Sequence, residues 1–96
     1  MIFAELEYSE HYNEMHDCLV EFVKSKFIDV QSGHQGDSWI WVFSDGNRVA
    51  IDTFSSMKHQ VKSEVAENPL VDKVIEVLKQ KYKLSIYKTP ELEAHE

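Results

Sequence analysis

"GDSWIWVFSDGN", residues 36–47, holds both tryptophans of the chain, a phenylalanine and a tight-turn signal. Aromatic and β-branched side chains suit a pleated, half-buried surface, so residues 38–44 read as a strand. Asp45-Gly46 supplies the positive φ angles that tight hairpin turns demand. "RVAIDTF", residues 48–54, is then the returning strand. Side chains alternate between the two faces of a strand. Trp39, Trp41 and Phe43 share one face; Ile40 and Val42 share the other.

The turn decides which set is buried, because a slip of one residue exchanges the faces. With a two-residue turn, Val42 opposes Val49 and Ile40 opposes Ile51. The aliphatic face is then the core. Trp39, Trp41 and Phe43 lie outside with Arg48, Ala50 and Asp52, as a charged-rimmed aromatic patch of the kind that marks an interface. With a three-residue loop, Trp41 opposes Val49 and Trp39 opposes Ile51, and the tryptophans are core. Both turns are common. The area of a buried aromatic, roughly 150–250 Å² each, is valuable to so short a chain and favours the second register.

Outward from the hairpin, "MIFAELEY" alternates as a half-buried strand. Ser9 suits a helix N-cap. Tyr12, Met15, Leu19, Phe22 and Val23 form the apolar stripe of a helix over residues 10–26. Residues 28–31 suggest a weak strand and "SGHQGD" a loop. Met57, Val61 and Val65 fall on one line of a short helical segment. A final helix starts at Pro69, since proline fits the first helical position. Val71, Val74, Ile75, Leu78 and Tyr82 form its stripe. "KLSIYK" gives a last strand.

This order predicts an α+β two-layer sandwich. Two main helices cover one face of a mostly antiparallel sheet of four or five strands, in the order β-α-(β)-β-β-α-β. Without the weak strand the order resembles the ferredoxin-like split arrangement, a likeness of fold that carries no function. Residues 1–88 read as one domain and residues 89–96 as a polar, disordered tail.

The chain has 96 residues and a formal net charge of −7. That balance argues against nucleic acid, where cationic side chains must replace counterions, and against an anionic membrane surface. No apolar run approaches a membrane span. The N-terminus has no basic n-region of a signal peptide, and the single cysteine, Cys18, permits no intrachain disulfide. A cytoplasmic location is expected.

Catalytic spacing is absent. His11 and His16 are five apart and diverge around a helix, so the five histidines read as scattered and solvated, with no metal and no cofactor. Cys18, among Glu14, Asp17 and Glu21, reads as a semi-buried, inert thiol. The chain contains no phosphate-loop, dinucleotide or nucleophile-elbow motif. The expectation is a small non-enzymatic domain acting through protein contacts, by self-association as a homodimer or as an acidic adaptor or inhibitor. Its candidate surface is Trp39, Trp41, Phe43, Arg48 and Asp52. The alternative is a small-molecule binder or enzyme with a pocket between sheet and helices, built from Trp41, Arg48, Asp52 and His34.

Overall fold

The hairpin takes the two-residue turn. In the computed structural model, which describes residues 1–93, Val42 pairs with Val49, Ile40 with Ile51 and Trp41 with Ala50. Asp45 and Gly46 both have positive φ, 50° and 78°. Aspartate tolerates the left-handed region better than most residues, so the Asp-Gly pair closes the tightest loop open to it. The expectation that the tryptophans belong to the core is thereby overturned. Ile40, Val42, Val49 and Ile51 are fully buried, while Trp39, Trp41 and Phe43 are half-buried on the opposite face.

Among the described residues the elements are β1 (Ile2–Glu7), α1 (Tyr12–Lys26), β2 (Asp29–Gln35), β3 (Asp37–Ser44), β4 (Asn47–Asp52), β5 (Gln60–Lys62), α2 (Pro69–Leu78) and β6 (Lys83–Glu91). They form an α+β domain with one six-stranded sheet in the order β2-β3-β4-β5-β1-β6. Every neighbouring pair is antiparallel. The sheet therefore has six strands where four or five were expected, two more than the four of the split ferredoxin-like arrangement.

Both helices pack on one face. α1 lies against β2 and β3, and α2 against β4 and β5. Leu19 and Val23 of α1 meet Ile40, Val42, Val49, Ile51 and Val61 of the sheet and Leu70, Val71, Val74, Ile75 and Leu78 of α2. Each such side chain, fully buried, contributes about 1.5–3 kcal/mol. α1 is capped by His11, whose Nδ1 accepts from the Asn13 backbone N–H at 3.1 Å, not by Ser9. α2 starts at Pro69 as expected, and Asn68 caps it by accepting from the Leu70 N–H at 3.0 Å.

Three further readings change. Met57, Val61 and Val65 do not share a helix; Val61 enters the core from β5, while Met57 and Val65 are exposed. The supposed loop after residue 31 is the rest of β2 and a turn at Gly36, where φ is 77°. β6 continues to Glu91, which lies opposite Ile2, so the sheet claims residues 89–91 of the expected tail. Residues 94–96 of that tail lie outside the described residues.

Cys18 is exposed, contrary to the expected semi-buried thiol. It lies beside the helix stripe rather than in it, and the α1 core contact is made by Met15, Leu19 and Val23. Thiol reagents are therefore expected to label one cysteine per native molecule as fast as in denaturant. Protection in the native state, read by mass spectrometry over time, would contradict this exposure.

Candidate functional site

The face away from the helices is where the sheet remains open. β3 contributes Trp39, Trp41 and Phe43, with centroids 4.6 Å apart for Trp39–Trp41 and 6.4 Å for Trp41–Phe43. Period-two alternation aligns these rings along one strand. β2 makes room for them. Gly33 lies opposite Trp39, and a Cβ built there would come within 2.4 Å of the indole. The absent side chain lets the ring lie over the edge strand.

β4 sets Arg48 opposite Phe43, and its guanidinium stands 5.1 Å from the Trp41 centroid. A planar cation over an indole is attracted by the ring's negative face. Arg48 also meets Glu64, Nη2 to Oε1 at 2.5 Å, but at 40% and 83% side-chain exposure that pair contributes little.

Asp52 behaves differently from its neighbours. It lies on this open side yet is only 4% exposed. Lys62, on the next strand, is equally enclosed and donates to Asp52 Oδ1 at 2.5 Å. Burial raises the Asp52 carboxyl above its usual range, and the bonds and charge of Lys62 only partly oppose this. Lys62 Nζ also donates to Glu93 Oε2 at 2.7 Å, and the Ser55 hydroxyl donates to the same oxygen at 2.6 Å. The C-terminal segment beyond β6 therefore reaches past β1 to cover the pair. A bulge in β1 between Ile2 and Ala4 sets Ile2 opposite Lys62 in this row. Trp41, Arg48, Phe54, Lys62 and Glu93 line a cavity of about 210 Å³ here.

The surface candidates Trp39, Trp41, Phe43, Arg48 and Asp52 thus occupy one face, with Asp52 buried within it. The pocket candidates divide. Trp41, Arg48 and Asp52 line the same cavity, but it lies on the open side of the sheet and not between sheet and helices. His34 is on the helix side, opposite Ser38, because its position in β2 has the other parity.

There His34 joins a cluster that spacing along the chain could not foretell. Its ring stacks on His16 at 4.4 Å, and its Nε2–H donates to Asn13 Oδ1 at 2.6 Å. His16 Nδ1 is 2.5 Å from Ser38 Oγ, and Ser38 Oγ is 2.7 Å from His59 Nε2. His59 Nδ1 is 2.8 Å from the Tyr8 hydroxyl, which also accepts from the His59 backbone N–H at 3.0 Å. One proton arrangement satisfies every member: Tyr8 donates to His59, His59 to Ser38, and Ser38 to His16. Both imidazoles on the serine are then neutral. Burial, then the charges of His16 and His34, lower His59 to about 4. Burial and His34 also lower His16, against the pull of Asp17.

His16 and His59 are buried and joined through Ser38 rather than scattered and solvated as expected, while His34 is exposed. A serine between imidazoles has the composition of a nucleophile and base. Ser38 is fully buried, however, and a nucleophile must reach its substrate, so the chain of bonds is structural. Among the described residues no group of three or more His, Cys, Asp or Glu side chains is arranged to hold a metal, and no helix is long and apolar enough to cross a membrane. Comparisons with protein-family models, curated proteins and solved structures gave no match.

Proposed function

We propose that this domain is a non-enzymatic protein-binding module that docks a basic partner on its open sheet face. The observation that carries the reading is the row of Trp39, Trp41 and Phe43 left half-buried where no helix covers them. Aromatic residues and arginine are enriched where interfaces bind most tightly. The net charge of −7 opposes pairing of two copies and favours an oppositely charged partner. Arg48 over Trp41 is an internal example of the contact an incoming arginine would make. Self-association through the same face is the second form of this reading.

A short peptide of alternating arginine and leucine, at low salt, is expected to shield the tryptophans from acrylamide. The protection should weaken as ionic strength shortens the Debye length to about 3 Å at 1 M. Trp39→Ala should cost about tenfold in affinity, or about 1.4 kcal/mol. Sedimentation velocity at micromolar concentration is expected to give a monomer. A dimer that Trp39→Ala dissociates would replace the basic partner with a second copy. No protection and no dimer would remove the docking face altogether.

A further inference from the structure

The cavity beside Trp41 has a property that a docking face does not require. Its floor is a cation enclosed in protein: the Lys62 side chain is 5% exposed. Three groups surround its ammonium: the carboxylates of Asp52 and Glu93, and the Ser55 hydroxyl. Asp52 is fixed within the sheet, adjacent in β4 and equally buried. Glu93 comes from the end of the described chain, lies beyond the last strand, and keeps 24% of its side chain exposed. Burial disfavours its charge, yet bonds from Lys62 and Ser55 hold its carboxyl below the ordinary range. The cradle therefore stabilises a carboxylate, and of the two carboxylates on Lys62 the one from Glu93 keeps the greater exposure.

We propose that Lys62 and Ser55 form a binding site for a small apolar monocarboxylate, and that Glu93 is a tethered occupant which such a ligand displaces. The carboxylate of the ligand takes the two hydrogen bonds that Glu93 releases, one from Lys62 Nζ and one from Ser55 Oγ. Its body lies against Trp41, Ala50 and Phe54, which line the same cavity with Arg48 at the rim. Size limits the ligand: a cavity of roughly 150 Å³ admits benzene, and this one measures about 210 Å³. A single-ring or short branched acid fits. The exchange is charge-neutral, one carboxylate for another, so the buried Lys62–Asp52 pair keeps its balance throughout. This site stands independently of partner docking.

The test uses the full chain with benzoate as the probe and benzamide as its uncharged match. Binding is read from the Trp41 indole N–H and the Ala50 amide by NMR. In Glu93→Ala, benzoate is expected to bind at least about fivefold more tightly than in the parent protein, the factor expected when a competing arm leaves the site open ~20% of the time. Glu93→Gln, which keeps the side chain's size, should move affinity in the same direction. Adding Ser55→Ala to Glu93→Ala should weaken binding again, and benzamide should shift neither signal. Equal benzoate affinity in the parent and Glu93→Ala proteins would overturn the tethered-occupant reading. Binding of benzamide as tight as benzoate, or no saturable shift in any folded variant, would overturn the carboxylate site.

Discussion

Acidification from neutral pH to pH 4 is expected to destabilise the fold by on the order of 3 kcal/mol through His59 alone. An imidazole in the unfolded chain binds its proton near 6.5, whereas His59 in the folded protein does so only near 4. Between these values the unfolded state holds the extra proton. Stability should therefore fall as pH drops below about 6.5, and this contribution should level off below about 4. His16 is shifted in the same direction and steepens the fall. The groups facing His59 offer no relief. Tyr8 and Ser38 are neutral, the positive charges of His16 and His34 oppose its protonation, and the Lys58 ammonium stands 4.5 Å from the Tyr8 ring centroid. Chemical denaturation across this range measures the slope. His59→Gln preserves a donor for Ser38 and an acceptor for Tyr8, and should flatten the acid limb while lowering stability at neutral pH. A parent protein equally stable at both ends of the range would mean that His59 is not held neutral.

The same cluster marks where sequence reading ends. Amphipathic spacing located α1 and α2, and alternation located β1, β3 and β4, because these elements bury one side and the burial sets the period. The Asp45-Gly46 turn was legible as a hairpin, but its register rested on one residue, and the aromatic area argument favoured the wrong one. Helices α1 and α2 bring enough aliphatic volume to fill the core without the tryptophans. β5 has only three residues, too few to show a period, and its Val61 coincided with a helical spacing. His16, Ser38 and His59 come from a helix and two separate stretches of the sheet region. No local spacing encodes such a contact. The signal available was weaker: His16 lies one residue from Met15 on the border of the α1 stripe, where a buried polar group needs a partner. Asp52 was legible as a candidate, but its pairing with Lys62 was hidden for the same reason, since it depends on the β4–β5 register.

Lys62→Met should destabilise the protein by about 3–5 kcal/mol at neutral pH, the usual cost of leaving the other member of a buried ion pair uncompensated. The loss comes from the enclosed Asp52 more than from Glu93, whose carboxylate is partly exposed and keeps its bond from Ser55. Asp52 cannot turn away, because β4 fixes it inside the sheet. Burial already raises its carboxyl, and without Lys62 nothing charged opposes that rise. The carboxyl then takes up a proton as the pH falls, which removes the buried charge. The penalty of Lys62→Met should accordingly be largest above neutral pH and shrink in mild acid, opposite in sign to the effect of His59. Replacing both partners, Lys62→Met with Asp52→Leu, should recover stability to within about 1 kcal/mol of the parent, because enclosed ion pairs seldom add more than apolar residues of like volume. If the double variant stays as unstable as the single one, the pair contributes to folding beyond its own charges. If it recovers its stability but no longer binds benzoate, Lys62 and Asp52 serve recognition at the cavity floor. The domain then carries a buried charge pair that its fold does not need.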